Sequence, residues 1–305
     1  MVRVLIYLGV LAGFCMILDK YTSTSHLQLD LPEGLIWDAA NNKFLFVDIT
    51  NKTLYGFTVN STINVKLLSV FDGEIGCVFT DKHSPNYLCA VTPKLTDWPQ
   101  VGQFSKQFDF TWPYATSHRF NDGLLDGNLL WVGILSKMQP DRTSTGGLFG
   151  ISDQMGVFFE DRTYQIPNGP VISHDKKWLI HSDSAKGFIY GYEYKGTLTS
   201  PTSKIVLIDL SNSGGKPDGM ILDSSGNLYV AMWGLGQIWK FDTNYHYSSM
   251  IDVKNKFVTN MAFGGENLDR LFVTYAQDKT LGKFGGICEV INNKTLGVSN
   301  YMSNK

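Results

Sequence analysis

Five polar residues recur along the chain at intervals near 45 residues, most of them followed by glycine. They are Glu33, Asp122, Asn168, Asp218 and Asn260, and Ile75 occupies the one apolar position of the series. Carboxylates that converge repel one another unless a cation neutralises them. Oxygen ligands from Asp, Glu and Asn suit a hard divalent cation such as calcium. No His or Cys joins the series, so a zinc site built from soft ligands is less expected.

Each of these leading residues opens a segment with the same pattern. An apolar run follows it, then a turn, a second apolar run and, in most segments, a third. The leading residues are 42, 47, 46, 50 and 42 residues apart. A repeat of this length with three or four short strands is typical of a β-propeller blade. Turns such as Asp126-Gly127-Asn128 and Ser225-Gly226-Asn227 carry the expected residues.

The repeat predicts an all-β fold, a six-bladed β-propeller that occupies residues 26–305 as a single domain. The first strand of each propeller blade lines the central channel, so the six leading residues should gather at one end of it. We therefore predict a metal site in the centre. The short segment His26–Leu31 is a candidate to pair with the C-terminal strands and close the ring, which would bury most sheet edges.

The composition fits a globular β-protein. The chain has 305 residues, a formal net charge of −2, 43% hydrophobic residues and 18% charged residues. The hydrophobic share is sufficient for a core, and the charge is too low for a disordered chain. A near-neutral chain argues against nucleic acid as a partner, because such a partner calls for clustered Lys and Arg. We expect a monomer.

The first 25 residues have the features of a targeting segment. Residues Val4 to Leu18 carry no charge, and Arg3 precedes them. This run is shorter than the roughly 20 residues of a membrane span. It resembles the hydrophobic region of a secretory signal, with a cleavage site near Ser23 to Ser25. We predict a leader over residues 1–25 and secretion. The alternatives are an uncleaved signal anchor, which would attach the protein to a membrane, and a cytoplasmic protein.

The remaining sites of interest give weaker signals. Cys77 and Cys89 flank a turn-like stretch and could face each other across a hairpin. We interpret them as small apolar strand residues, and a disulfide between them stays open. Among six scattered histidines, His118 adjoins the RFNDG segment and His181 precedes Asp183. The signatures of serine hydrolases, zinc proteases, and nucleotide-binding loops are absent from the sequence.

Several segments resemble one known family. They are LPEGLIWD, HRFNDGLLDGNLLWVG, IPNGPVIS, SDSAKGFIYGY, KPDGMILDSSGNLYVAMW and AFGGENLDRLFVTYA. Their order and spacing are similar to those of the senescence-marker-protein family, which includes regucalcin, gluconolactonase and luciferin-regenerating enzymes. The resemblance extends from about residue 30 to residue 291. It implies a six-bladed propeller, a divalent ion in the channel and, often, hydrolysis of sugar lactones.

The resemblance also assigns roles to individual residues. It implies that Glu33, Asn168 and Asp218 bind the metal, and that Asp218 also acts as the catalytic base. Arg119 and Asn121 match the residues that bind substrate in the family. Asp122 belongs to the same motif and is expected to support the metal ligands. The implied cofactor is one divalent cation, calcium first, with zinc or manganese as alternatives.

These assignments lead to a metal-dependent hydrolase that opens a lactone or a related ester with metal-activated water. One departure from the family affects the substrate. Where the regucalcin branch has an acid that reaches the sugar, this chain reads Lys137-Met138. Three alternatives therefore stay open. They are a non-catalytic calcium-binding propeller, an organophosphate or arylester hydrolase on the same metal site and, with less support, a strictosidine-synthase-like lyase.

Overall fold

A computed structural model describes most of the chain between residues 27 and 290. The described ranges are 27–59, 63–81, 84–92, 94–98, 117–137, 146–195, 203–253 and 255–290. The predicted leader, residues 1–25, lies outside them, so its cleavage and the secretion of the protein remain predictions. In the described ranges we find no helix with the length and hydrophobicity to cross a membrane.

The described residues form six separate antiparallel sheets, and each sheet contains one of the predicted repeats. Sheet 1 contains β1 (Pro32–Asp38), β2 (Lys43–Asp48), β3 (Thr53–Val59) and β4 (Ile63–Val70). Sheet 2 contains β5 (Ile75–Asp81), β6 (Ser84–Val91) and β7 (Lys94–Trp98), and sheet 3 contains β8 (His118–Asp126), β9 (Leu129–Ser136), β10 (Gly146–Ser152) and β11 (Gly156–Tyr164). Sheet 4 contains β12 (Pro167–Ile172), β13 (Trp178–Asp183), β14 (Phe188–Glu193) and β15 (Lys204–Asp209). Sheet 5 contains β16 (Lys216–Leu222), β17 (Leu228–Trp233), β18 (Gln237–Phe241) and β19 (Tyr247–Asp252), and sheet 6 contains β20 (Val258–Gly264), β21 (Arg270–Tyr275) and β22 (Gly286–Val290).

The first strand of each sheet contacts the first strand of the next, and β20 contacts β1, so the sheets form a closed ring. The Thr259 hydroxyl in sheet 6 donates a hydrogen bond of 2.6 Å to the Pro32 carbonyl in sheet 1. Leu29 pairs with Gly285, and the Gly285 N–H donates to the Leu29 carbonyl at 2.7 Å. This pairing confirms that the segment ahead of β1 helps to close the ring. The fold is an all-β propeller.

Aromatic residues and glycines together explain how closely the sheets pack. Phe44, Phe57 and Phe272 are buried between sheets 1 and 6, with ring centroids 4.7–5.3 Å apart. A Cβ atom on Gly264 would lie 2.1 Å from Phe44 Cζ. Glycine is therefore required there for the aromatic ring to fit. Burial of each such side chain contributes about 2–3 kcal/mol of hydrophobic free energy.

A bulge interrupts the register of each inner strand near its leading residue. The register shifts between Glu33 and Ile36 in β1 and between Asn168 and Val171 in β12, and similar shifts occur in the other four inner strands. The glycine within the bulge has a positive φ of 58° at Gly34 and 53° at Gly169. A bulge changes the direction of the side chain next to it. The bulges at the Glu-Gly and Asn-Gly pairs thus explain why the polar side chains next to them point toward one end of the channel.

The possible disulfide between Cys77 and Cys89 does not form. Cys77 is a free, buried thiol in the core between sheets 2 and 3. Its strand β5 pairs with β6, and Cys89 faces Val78 rather than Cys77. The structure confirms the interpretation of both residues as small apolar strand residues.

Candidate functional site

The three predicted metal ligands lie at the start of three inner strands, at one end of the channel, which we call the site end. Glu33 is in β1, Asn168 in β12 and Asp218 in β16. Only 7%, 5% and 5% of their surfaces are exposed. The inner strands lie close together here, since a Cβ atom on Gly169 would be 2.9 Å from the Asp218 carbonyl oxygen.

Buried aspartates accept hydrogen bonds from the backbone directly ahead of two of these strands. Asp48, at the end of β2, accepts hydrogen bonds from the Asp30 and Leu31 N–H groups at 2.9 and 3.0 Å. Asp183, at the end of β13, accepts from the Gln165 and Ile166 N–H groups, each at 3.1 Å. These bonds fix the chain directly ahead of Glu33 and Asn168. Both repeats end their second strand with this aspartate.

Burial and mutual repulsion raise the pKa values of the two carboxylic acids among the predicted ligands, Glu33 and Asp218. Burial raises the pKa of Glu33 well above its usual range, and the nearby carboxylates of Asp218 and Asp122 raise it further. The pKa of Asp218 is raised well above its usual range for the same two reasons, burial first and Asp122 second. Arg119 partly offsets both shifts. A cation bound between the carboxylates would favour their ionised forms.

Asn168 is held at both ends of its side-chain amide. Its Nδ2 donates to Ser184 Oγ at 2.9 Å, and its Oδ1 accepts from Asn121 Nδ2. Ser184 Oγ in turn donates to the carbonyl of Pro217, the residue before Asp218, at 2.6 Å. Ser184 therefore links two predicted ligands. Its role could not be recognised from the sequence, because a serine one residue after a strand carries no distinguishing pattern.

One buried oxygen at the site lacks a hydrogen-bond partner among the described residues. It is Oδ1 of Asp218. A buried carboxylate oxygen in this state costs free energy, which a bound cation or its water would recover. The donor set is made of oxygen atoms only, which suits calcium. In the described ranges, no three side chains of His, Cys, Asp or Glu gather as metal ligands, and the predicted set has asparagine as its third member. The metal site therefore stays a prediction.

The two residues predicted to bind substrate adjoin these ligands. Arg119 Nη1 donates to Asn121 Oδ1 at 2.6 Å and to the Phe120 carbonyl at 3.0 Å. Asn121 Nδ2 also donates to the Pro167 carbonyl at 2.8 Å. Burial lowers the pKa of Arg119, while Glu33, Glu74 and Asp218 raise it. The guanidinium group is thus a half-buried cation next to the predicted metal ligands.

The Asp122 side chain lies in the channel next to the predicted ligands and connects three inner strands, β8, β12 and β20. Its Oδ2 accepts from the Gly169 N–H and from Asn260 Nδ2, each at 3.1 Å. Asn260 belongs to sheet 6 and Asp122 to sheet 3, so this contact connects distant sheets of the ring. Burial raises the pKa of Asp122 to about 6, although these hydrogen bonds lower it in part. Asp122 thus lies close to the carboxylates of Glu33 and Asp218, and its role in supporting the metal ligands stays a prediction.

A cavity of about 80 Å³ continues the channel on the other side of Asp122 and Asn260. Its walls are mainly apolar, for example Leu125, Val171 and Met220. The polar end and the apolar remainder of the channel are therefore separated by a single layer of hydrogen-bonded side chains.

The two histidines singled out in the sequence do not join the predicted ligands. His181 is fully buried against the Tyr164 ring at 5.0 Å. Burial lowers its pKa to about 3, so it is neutral at physiological pH. His118 lies at the start of β8, where its Nδ1 is 2.8 Å from the Ser117 hydroxyl.

Fold and site together define a β-propeller whose channel end holds two buried carboxylates, a buried asparagine and a half-buried arginine. A profile of the SMP-30/Gluconolactonase/LRE-like region matches residues 31–277. The chain therefore belongs to this family, as its motifs predicted.

Individual relatives cover most of the chain. It is 30% identical over 261 residues to an uncharacterized protein of Sulfolobus acidocaldarius, a match over 83% of this chain and 90% of the relative. It is 26% identical over 206 residues to 6-deoxy-6-sulfogluconolactonase of Pseudomonas putida, over 67% and 70% of the two chains. The solved structure of a calcium-binding protein, regucalcin, from Agrobacterium tumefaciens superposes with a TM-score of 0.77 at 21% identity, over 89% and 93%. This structural likeness shows the shared fold.

Proposed function

We propose that this protein is a divalent-cation-dependent hydrolase of lactones or related esters. The proposal takes the six sheets as six blades around one channel, with calcium as the first candidate ion and zinc or manganese as alternatives. The observation that carries it is Asp218 Oδ1, a buried carboxylate oxygen with no hydrogen-bond partner among the described residues, next to Glu33 and Asn168. The 6-deoxy-6-sulfogluconolactonase relative supports the reaction class. The calcium-binding regucalcin with the same fold supports the choice of ion.

Glu33, Asn168 and Asp218 would hold the ion through their side-chain oxygens. When bound, a divalent ion polarises a carbonyl group and lowers the pKa of a water molecule. Asp218 would orient the attacking water and accept its proton, because its carboxylate lies among the predicted ligands and would be ionised once the cation is bound. Asn168 cannot take over this role, since an amide does not accept a proton at neutral pH.

Arg119 and Asn121 would bind and orient the substrate. The guanidinium group is planar, permanently charged and suited to oxygen atoms that gain negative charge. Asn121 holds Nη1 of Arg119 and the Asn168 amide at the same time, which fixes the substrate-binding cation relative to a metal ligand. The substrate is therefore a small molecule, and we expect the protein to act as a monomer.

A panel of aldonolactones, aromatic lactones, arylesters and phosphotriesters tests this function. Each substrate is assayed with calcium, zinc, manganese and a chelator. We expect cation-dependent hydrolysis of lactones, lost in Asp218→Asn and in Glu33→Gln. Asp242→Asn is the matched control, because Asp242 is a partly exposed aspartate directly after β18, at the opposite end of sheet 5 from Asp218. Faster phosphotriester than lactone turnover would instead assign the site to organophosphate hydrolysis.

A non-catalytic calcium-binding propeller is the second candidate. The same unpartnered oxygen of Asp218 favours it, since ion binding to the native state alone stabilises a protein. Titration of calcium with the melting temperature and lactone turnover measured in parallel separates the two functions. A rise in melting temperature without turnover on any substrate of the panel would assign the site to binding.

A further inference from the structure

An ion pair lies at the rim of the channel, above the predicted ligands. Lys137 Nζ in sheet 3 is 2.5 Å from Glu74 Oε2 in sheet 2, and the side chains are 31% and 24% exposed. Lys137 directly follows β9, whose residue Ser136 pairs with His118 at the start of β8. Glu74 directly precedes Ile75 at the start of β5. Both residues therefore lie at the site end of the channel.

Arg119 lies between this pair and the predicted ligands. Its hydrogen bonds to described residues go to neutral acceptors, the Asn121 amide oxygen and the Phe120 carbonyl, through Nη1. Among the ion pairs between described residues, none includes Arg119. Its electrostatic attraction to carboxylates comes from Glu33, Glu74 and Asp218, which raise its pKa without a direct contact among the ion pairs described. A half-buried guanidinium group without a contacting carboxylate can recognise an anion.

The charges at the rim favour a negatively charged ligand once the ion is bound, an argument that rests on the proposed function. The divalent ion would balance the charges of Glu33 and Asp218. Asp122 adds one further carboxylate to the site, but its Oδ2 accepts hydrogen bonds from the Gly169 N–H and Asn260 Nδ2. The rim itself then holds two cations, Arg119 and Lys137, and the carboxylate of Glu74. A partly exposed ion pair such as Lys137–Glu74 contributes only about 0–1 kcal/mol to the stability of the folded protein. Lys137 can therefore leave Glu74 and bind another anion at a small cost in free energy.

We propose that Arg119, Lys137 and Glu74 select lactones that carry an anionic substituent beside the reacting ring. The substituent is an oxoanion such as a carboxylate, phosphate or sulfonate. Lys137 leaves Glu74 to bind this group, and Glu74 weakens the binding of anions by competing for Lys137. Lys137 is thereby a residue that determines specificity, and it does not contact the reacting carbonyl.

The test compares kcat/KM for glucono-δ-lactone with kcat/KM for its 6-phosphate. The ratio is the readout, because a partial folding defect cancels in it. We expect the wild-type protein to prefer the phosphate by about tenfold or more, Lys137→Gln to reduce this preference about tenfold, and Glu74→Gln to raise it about threefold. The preference should also fall as salt is added. Lys177→Gln is the matched control, since Lys177 forms an exposed pair with Asp175 at the β12–β13 turn.

A binding measurement separates this inference from the proposed function. The probes are 1,5-anhydroglucitol and its 6-phosphate, cyclic ethers that cannot be hydrolysed, titrated by calorimetry into the calcium-loaded protein. Selective binding of the phosphate that Lys137→Gln removes supports the rim inference, even if no lactone is hydrolysed and the proposed function fails. Lactone hydrolysis with a phosphate preference that Lys137→Gln leaves unchanged overturns the rim inference and leaves the proposed function intact.

Discussion

Two buried aspartates lie at opposite ends of one strand and differ in the direction of their pKa shifts and in their hydrogen bonds. Asp218 lies near the start of β16, at the site end, and Asp223 directly follows the end of the same strand. Burial and Asp122 raise the pKa of Asp218, and its Oδ1 lacks a partner among the described residues. The pKa of Asp223 is lowered, because the hydrogen bonds to its carboxylate outweigh the effect of burial.

The neighbours of Asp223 explain its stable charge. Its carboxylate accepts from the Ser225 N–H at 3.0 Å, from the Asn227 N–H at 2.9 Å and from Lys240 Nζ at 3.1 Å. These donors close the turn after β16 and connect it to β18. A buried carboxylate whose oxygens are all hydrogen-bonded stabilises the fold. A buried carboxylate with an oxygen that lacks a donor can instead bind a cation or another ligand.

Asp218→Asn should have the largest effect. The substitution removes the proton acceptor and one charged ligand, so lactone turnover should fall at least about 10³-fold. The metal-free protein should melt at a higher temperature than the wild type, because a buried, poorly compensated charge is lost. Steady-state kinetics and thermal denaturation in chelator measure both effects. A variant with wild-type turnover would contradict the assigned role.

Asp223→Ala should have the opposite profile. It leaves buried N–H donors and the Lys240 ammonium group without their acceptor, at a cost of about 2–4 kcal/mol in the free energy of unfolding. Turnover per folded molecule should stay near that of the wild type. Denaturant unfolding and active-site titration check the two parts. A loss of turnover in the fully folded variant would mean that the two aspartates do not differ as we describe.

Part of the fold and of the candidate site could be predicted from the sequence. The period of the leading residues predicted the inner strands, and the motifs predicted Glu33, Asn168 and Asp218 as neighbours. The short segment ahead of β1 was also correctly predicted to help close the ring, through Leu29 and Gly285. These features depend on local patterns that each repeat carries.

Individual side-chain contacts between sheets could not be predicted from the sequence. The bond from Asn260 to Asp122 joins residues 138 positions apart, and the pair Lys137–Glu74 joins two sheets. Their formation depends on how the sheets are rotated around the channel, which no single segment encodes. Ser184 was missed for a similar reason, since its role arises only from the position of Pro217 in the next sheet.

The site carboxylates should make the metal-free protein less stable as the pH rises. Asp122 has a pKa of about 6 in the folded protein and an ordinary value of 3.8. Its protonated form is favoured by folding, so this contribution is complete below pH 3.8 and is lost as the pH rises through 6. The loss is on the order of 2 kcal/mol. Unfolding in chelator at pH 4.5 and 7.5 should show a smaller decrease for Asp122→Asn, and an equal decrease would refute this role.

Ser184→Ala should produce a smaller effect at the site end. Asn168 Nδ2 loses its acceptor, so the amide is less well oriented toward a bound ion, and cation affinity should fall about tenfold. Ser184→Thr retains the hydroxyl group and should restore most of the affinity. Ser182→Ala is the matched control, because Ser182 Oγ bonds to the backbone carbonyl of Asn168 and not to its amide. Calcium titration by calorimetry would detect the difference, and equal losses in both alanine variants would argue against orientation by Ser184.

The central claim is that Glu33, Asn168 and Asp218 form a cation site on which lactone hydrolysis depends. Its most direct test is turnover of a lactone by chelator-treated protein as calcium, zinc or manganese is added back in steps. We predict negligible turnover without a cation, saturable recovery with at least one of the three, and no recovery in Asp218→Asn. Full turnover in protein verified to contain no metal would contradict the claim.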